Sequence, residues 1–220
     1  MKDEHILIFG DSIAYGAWDE EGGWAQRLRK FIDEKNRHYK NIVMQGKNLL
    51  HYNYCLIYNL GISGDTSEEV LGRLEFEARQ RAGLDNEIIL IFAIGVNDSY
   101  FVHEKGSNQT EPGKFEQNLR NIIELAREFS DKTIFIGLTP CDESKVDPVP
   151  WRPEISYKNK YIKQFNDIVK QVCKENDVNF IEMLDNLSKE DLEDGVHPNS
   201  GGHKKIFEIV KDYLVKEKII

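Results

Sequence analysis

The chain has 220 residues, 40% of them hydrophobic, and a formal net charge of -9 at pH 7. This length predicts one domain, residues 1–220, with a hydrophobic core of its own. The negative charge argues against a protein that binds nucleic acid or an anionic membrane, because either partner would be repelled.

The sequence shows no sign of a targeting segment or a membrane span. Residues 1–5 carry acidic side chains where a secretory signal would carry a positive charge, and a strand is predicted to begin there. No apolar run reaches about 20 residues, the length that crosses a bilayer. These features predict a cytoplasmic location, with an earlier removal of a signal peptide as the open alternative. Of the three cysteines, Cys55 and Cys173 are interpreted as core residues and Cys141 as a loop thiol.

Short apolar runs alternate with amphipathic stretches along the chain. The apolar runs predict strands at residues 5–9, 55–60, 87–93, 132–138 and 178–181. The amphipathic stretches predict helices at residues 24–36, 67–82, 115–129, 155–175 and 200–215. Five repeats of strand and helix predict an α/β fold, a three-layer α/β/α sandwich around a parallel sheet. Residues 39–53 are interpreted as an insertion before the second strand, with a turn at residues 45–48.

Two motifs at opposite ends of the chain carry the parts of a nucleophilic hydrolase. Gly10-Asp11-Ser12 follows the first predicted strand, and Asp194-Gly195-Val196-His197-Pro198 precedes the last predicted helix. In such hydrolases a histidine activates a serine hydroxyl and a carboxylate orients the histidine. The two residues between acid and base allow a tight turn that brings the Asp194 carboxylate to Nδ1 of His197 while Nε2 faces Ser12.

Two more loops follow predicted strands and offer hydrogen-bond donors. Gly64 lies in a glycine-containing turn before a predicted helix, and Asn97 follows the third predicted strand. Together with the backbone N–H of Ser12, the N–H of Gly64 and the amide of Asn97 would form an oxyanion hole for a tetrahedral intermediate. Asp11 and Asp98 are interpreted as supports that hydrogen-bond to the backbone of their loops.

Each of these assignments has a purely structural alternative. Ser12 could cap a helix, and Asn97 could hold the turn after the third strand. Asp194 and His197 could be an Asx-turn and a surface histidine. His103 follows Asn97 closely enough to border the site. The remaining histidines are interpreted as surface or helix-terminal residues: His5, His38, His51 and His203.

The four short blocks Gly10-Asp11-Ser12-Ile13, Gly64, Asn97 and Asp194-x-x-His197 closely resemble those of the GDSL, or SGNH, family of serine esterases and lipases. They occur in the family's order and span nearly the whole chain. The resemblance implies a flavodoxin-like sandwich with a five-stranded sheet. It implies Ser12 as nucleophile, His197 as base, Asp194 as orienting acid, and Gly64 and Asn97 as oxyanion donors. Ile13 replaces the leucine of the family's name-giving motif, which is a conservative apolar change.

The predicted function is hydrolysis of a small carboxylic ester through an acyl-enzyme, without a metal or an organic cofactor. The resemblance leaves a lysophospholipase, a thioesterase and a carbohydrate deacetylase open. The predicted walls of the crevice, residues 100–113 and 139–154 with Trp151, and the nearby Trp18 and Trp24, suit a short acyl chain or a sugar face.

A noncatalytic flavodoxin-like or carbohydrate-binding module is the alternative from another class of protein. The predicted partner is a small-molecule ester. No nucleic acid and no stable membrane insertion are expected. The sequence makes no prediction of the oligomeric state.

Overall fold

The computed structural model describes residues 3–45, 54–83 and 86–220. The strands are β1 (Asp3–Gly10), β2 (Cys55–Gly61), β3 (Asn86–Ala93), β4 (Phe101–Val102), β5 (Ser107–Asn108), β6 (Lys132–Ile136), β7 (Ile155–Ser156) and β8 (Asn179–Ile181). The α-helices are α1 (Ser12–Tyr15), α2 (Gly23–Met44), α3 (Ser67–Arg79), α4 (Val96–Ser99), α5 (Pro112–Ala126), α6 (Glu143–Val146), α7 (Asn159–Glu175) and α8 (Ser200–Lys216). Two 3₁₀ helices, Leu184–Asn186 and Lys189–Asp191, precede α8.

The main sheet has five parallel strands in the order β2-β1-β3-β6-β8. This order confirms the predicted α/β fold, and it is the order of flavodoxin-like sheets. The chain runs outward in opposite directions from β1 and β3, so a crevice opens between the loops that follow these two strands. The loops that carry Ser12 and Asn97 therefore meet at one edge of the sheet.

Helices cover the main sheet in two groups. Helix α2 packs against α8, while α3 packs against α5 and α5 against α7. Between them the central strands contribute a stack of three buried rings, Phe9, Phe92 and Phe135, with centroid separations of 5.4 and 4.9 Å. Residues buried on both faces explain the uninterrupted apolar runs of these strands. Within the described ranges, none of the helices is both long enough and apolar enough to cross a membrane.

The two largest differences from the predicted helix boundaries are at the end of α2 and the start of α7. Helix α2 continues to Met44, so residues 39–44 belong to it, and residues 46–53 lie outside the described residues. Helix α7 begins at Asn159, because residues 155–156 form β7 and their backbone groups pair with β4. Strands β5, β4 and β7 form a small antiparallel sheet, which was not predicted. This second sheet joins the first predicted wall loop, residues 100–113, to the two residues that directly follow the second, residues 139–154.

The structure shows that three residues are more deeply buried than the sequence suggested. Cys141 is buried like Cys55 and Cys173, and burial raises the pKa of each thiol to about 12. Trp24, which was expected beside the site, is a buried core residue. His203 lies in the first turn of α8, in agreement with the helix-terminal alternative, but it is fully buried. Burial also lowers the pKa of His203, so its ring is neutral in the core.

Candidate active site

The end of β1 places the Ser12 side chain at the edge of the sheet. A Cβ at Gly10 would lie 2.6 Å from both the Ala14 side chain and the Ala93 carbonyl oxygen. Only glycine therefore fits at this position. The next residue, Asp11, is the N-cap of α1, and its carboxylate accepts a hydrogen bond from Ile13 N at 2.8 Å. The helix cap is therefore Asp11 and not Ser12, which leaves the Ser12 hydroxyl available.

Ser12, His197 and Asp194 form a continuous hydrogen-bonded chain. The Oγ of Ser12 lies 2.9 Å from Nε2 of His197, and Nδ1 of His197 lies 2.7 Å from Oδ2 of Asp194. A carboxylate only accepts, so Nδ1 carries the proton and Nε2 is left to accept from the serine hydroxyl. The structure thus brings together three predicted residues that the chain separates by up to 185 positions.

The Asp194 carboxylate is fixed by its own loop. Its Oδ1 accepts hydrogen bonds from the backbone N–H groups of Val196 at 3.0 Å and His197 at 2.9 Å. Burial alone would raise the pKa of Asp194, but the hydrogen bonds from the His197 side chain and backbone and from Val196 outweigh it and lower the pKa to about 2. These two hydrogen bonds form the Asx-turn that was the structural alternative for Asp194. The turn coexists with the contact to His197.

The loops after β2 and β3 meet through Asn97. Its Nδ2 donates to the carbonyl oxygen of Asp65 at 3.0 Å, and its Oδ1 accepts from the Tyr157 hydroxyl at 2.9 Å. Gly64, directly before Asp65, has a φ of +91°, in the left-handed region that favours glycine. Across residues 3–45, 54–83 and 86–220, the backbone N–H groups of Ser12 and Gly64 have no acceptor. One N–H of the Asn97 amide is also left for a ligand.

Asp98 ties the Asn97 loop to the start of α3, as the sequence suggested for a supporting residue. Its carboxylate accepts hydrogen bonds from Ser67 N at 2.9 Å and from Ser67 Oγ at 2.7 Å. Asn118 on α5 donates to the same Ser67 hydroxyl at 2.9 Å. Burial raises the pKa of Asp98 to about 6, against the opposing hydrogen bonds from Ser67. This buried network holds the loops of Gly64 and Asn97 in one arrangement.

Replacing Asp11 with asparagine is expected to stabilise the protein near pH 8 and to have little effect near pH 3. Burial raises the pKa of Asp11 from 3.8 to about 6 in the folded state, while asparagine caps a helix equally well without a charge. The folded state thus holds the proton more tightly than the unfolded state. The stability that this group contributes is present at low pH and is lost as the pH rises through about 6.

The unfolding free energy of Asp11→Asn should exceed that of the wild type by about 3 kcal/mol near pH 8 and by little near pH 3. Urea unfolding at both pH values measures the difference. A gain that does not depend on pH would contradict the assignment of the effect to ionisation of Asp11.

The remaining candidates lie at the margin of the site. His103 is exposed, and its Nε2 lies 2.8 Å from Ser156 Oγ, so it joins the small sheet rather than Ser12 or Asp194. Trp151 is 56% exposed on the wall loop. In the described part of the chain no three His, Cys, Asp or Glu side chains form a group that could hold a metal ion.

Two contacts of the site were not predicted. The Tyr157 hydroxyl reaches Asn97, and the Trp18 indole reaches Asp194. Both pair residues that are distant in sequence, and no local pattern marks either of them. The position of Trp18 between Ser12 and Gly22-Gly23 was the one available sign, since it placed an aromatic ring near the first motif.

Comparison with known proteins is consistent with this geometry. The model of the GDSL-like Lipase/Acylhydrolase family matches residues 8–205. Among curated proteins, the chain is 28% identical to a "Multidomain esterase" of Ruminococcus flavefaciens, over 95% of this chain and 28% of that protein. It is 22% identical to the "Isoamyl acetate-hydrolyzing esterase 1 homolog" of Mus musculus, over 92% of this chain and 78% of that protein. The chain thus spans 28% of the length of the bacterial relative.

Solved structures share the fold. The psychrotrophic esterase EstA from a Pseudoalteromonas species has a TM-score of 0.68 and 21% sequence identity with this chain. The match covers 99% of this chain and 100% of EstA. At this identity the likeness supports the common architecture of five parallel strands between helices.

Proposed function

The chain belongs to the GDSL-like lipase/acylhydrolase family, and we propose that it is a serine esterase that cleaves small carboxylic esters through an acyl-enzyme. Ser12 is the nucleophile, His197 the general base and acid, and Asp194 the carboxylate that orients His197. The observation that carries this proposal is the unbroken chain of hydrogen bonds from Ser12 Oγ through His197 to Asp194 Oδ2.

The first half of the reaction acylates Ser12. As Oγ bonds to the ester carbonyl carbon, Nε2 of His197 takes the hydroxyl proton, and the Asp194 carboxylate stabilises the imidazolium that forms. The carbon–oxygen bond to the alcohol then breaks, and His197 gives the proton to the leaving oxygen. In the second half, a water oxygen bonds to the acyl carbon while His197 takes its proton. The bond to Ser12 Oγ then breaks, His197 returns the proton to Oγ, and the acid leaves.

The negative charge of the tetrahedral intermediate is stabilised by three donors in this proposal. They are the backbone N–H groups of Ser12 and Gly64 and the free N–H of the Asn97 amide. Two of these donors are backbone groups held by helix α1 and by a tight turn. The third is the Asn97 side chain, which is held by one N–H donated to Asp65 and by Oδ1 accepting from Tyr157. Such donors need little rearrangement during the reaction, which is the basis of their catalytic effect.

Replacing Asn97 with alanine is expected to lower kcat about a hundredfold, because one oxyanion donor contributes on the order of 3 kcal/mol to the barrier. Steady-state hydrolysis of an activated ester measures the loss. Ser99→Ala is the matched control, since it removes a buried hydrogen bond to Val96 O in the same short helix without touching the proposed oxyanion site. Equal losses in the two variants would assign the effect to helix α4 as a whole.

Replacing Tyr157 with phenylalanine is expected to lower kcat about tenfold with little change in KM, because a loosely held donor is misplaced in the transition state. Burial raises the pKa of Tyr157, so its hydroxyl remains a donor to Asn97 Oδ1. Without it, the amide is held only by its hydrogen bond to the Asp65 carbonyl, so its second N–H is aimed less firmly. Tyr58→Phe, on strand β2, is the control. A Tyr157→Phe enzyme with normal kcat would show that Asn97 is held without this contact.

The test of the proposed function combines substrate and covalent label. Hydrolysis of p-nitrophenyl esters of increasing acyl length, near pH 8, should show turnover with an optimum at a short chain. A fluorophosphonate should add one phosphonyl group to the peptide that contains Ser12, read by mass spectrometry. Labelling of Ser12 with no ester turnover would indicate a specialised acyl group. The absence of both labelling and turnover would favour the noncatalytic binding module.

A further inference from the structure

Trp18 is an exposed tryptophan that contacts the proposed catalytic residues directly. Its side chain is 67% exposed, yet its indole Nε1–H donates to Asp194 Oδ2 at 2.9 Å. Its ring meets the His197 ring edge to face, with centroids 6.3 Å apart at 80°. An exposed tryptophan does not need a half-buried carboxylate as partner, because water satisfies the indole N–H equally well. The contact therefore matters for Asp194 rather than for Trp18.

The indole completes the set of donors around Asp194. Oδ1 accepts from the backbone of Val196 and His197, while Oδ2 accepts from Nδ1 of His197 and from Trp18. The 3.2 Å distance between the two ring nitrogens, Trp18 Nε1 and His197 Nδ1, is a packing distance, since Nδ1 itself carries a proton toward Asp194. With two donors on each oxygen, the carboxylate plane cannot rotate without breaking a hydrogen bond.

The loop of Trp18 is held firmly on both sides. On one side, the Ala17 carbonyl lies 3.3 Å from Nε2 of buried His203, whose Nδ1 accepts from Trp24 N. On the other side, the fully buried Asp19 carboxylate forms an ion pair with Arg27 at 3.0 Å. Between these anchors the Trp18 backbone has a φ of +65°, which is uncommon for a bulky residue. These anchors thus fix the backbone of Trp18 independently of Asp194.

We propose that Trp18 is a positioning residue that acts through Asp194: its N–H holds Oδ2 at the place where that oxygen aligns the His197 ring toward Ser12. This inference rests on the proposed function. It adds one side chain that supports the proposed triad and touches neither the reacting carbonyl nor the serine. It also gives a role to His203, Asp19 and Arg27, which hold the loop and lie outside the site.

A double-mutant cycle tests whether Trp18 acts through Asp194. Trp18→Phe keeps an aromatic ring and removes the N–H, and it should lower kcat about tenfold with KM within about twofold, because the base loses its alignment. In an Asp194→Ala background the same change should alter the residual kcat by less than about twofold, because the partner is already gone. A tenfold loss in both backgrounds would overturn the proposal, since Trp18 would then act on substrate or on the fold.

The contact itself has a readout that does not depend on activity. A ¹H–¹⁵N spectrum contains one indole signal for each of Trp18, Trp24 and Trp151, and Trp18→Phe identifies the first by its loss. In Asp194→Ala this signal should move while the other two stay. An unmoved Trp18 signal would overturn the proposal. If the signal moves but Asp194→Ala retains full activity, the proposed triad fails and the positioning role with it, while the contact stands.

Discussion

Replacing Ser12 with alanine is expected to abolish ester hydrolysis, with a fall in kcat of about a millionfold, the scale seen when a serine hydrolase loses its nucleophile. The alanine side chain leaves no group that can bond to the ester carbonyl, although His197 and the proposed oxyanion donors remain. These donors can still stabilise attack by water, so a small residual rate is expected. The hydroxyl also bonds to Nε2 of His197, and its loss leaves this ring available to water.

Turnover of the best p-nitrophenyl ester, with a burst of p-nitrophenol in the wild type only, measures this effect. Ser107→Ala, in the small sheet, is the control for loss of a serine hydroxyl elsewhere. Since Ser12 opens the short helix α1, where alanine is a good helix former, thermal unfolding should change little. Activity within tenfold of wild type in a folded Ser12→Ala protein would remove Ser12 from the mechanism.

Replacing Asp194 with asparagine is expected to lower kcat about ten-thousandfold. The two backbone N–H groups of Val196 and His197 fix one oxygen of the side chain, so the amide oxygen of asparagine must take this place. Its NH₂ group then points at Nδ1 of His197 and at the Trp18 N–H. A donor opposite Nδ1 requires Nδ1 to accept, so the imidazole proton moves to Nε2. A protonated Nε2 can no longer accept a hydrogen bond from the Ser12 hydroxyl.

Glu193→Gln is the matched control for this variant, since it removes a negative charge from the exposed residue directly before Asp194. Comparison of kcat/KM for the two variants separates the loss of orientation from the loss of charge. A similar, small effect in both would mean that the carboxylate of Asp194 acts only through its charge. A ten-thousandfold difference would support the orienting role.

The main sheet and the candidate residues could be predicted because their signals are local. Buried parallel strands such as β3 are apolar throughout, and parallel strands present their carboxyl ends at one edge. Ser12, Gly64 and Asn97 each follow such a strand, so their proximity follows from the alternation of strands and helices. The cytoplasmic location, the single-domain organisation and the roles of the site residues stay predictions.

Other features could not be predicted because they depend on tertiary contacts. Strands β4, β5 and β7 have two residues each, too few to show a period. The start of α7 depends on pairing between β7 and β4, which a helical pattern cannot reveal. The Trp18–Asp194 and Tyr157–Asn97 contacts join residues 176 and 60 positions apart. A single tryptophan or tyrosine carries no signal of such a partner.

The pairing of Ser12 with His197 across 185 positions has a consequence for the folding of the chain. His197 lies just before α8, and α8 packs against α2. Helix α2 is the helix that follows Ser12 and α1 in the chain. A chain in which this last helix has not yet docked has a serine at the sheet edge but no base to activate it. Such long-range contacts form late, after the loop entropy of the intervening chain has been lost. Esterase turnover is therefore expected to report completed folding, and a partly synthesised chain on the ribosome would not hydrolyse esters.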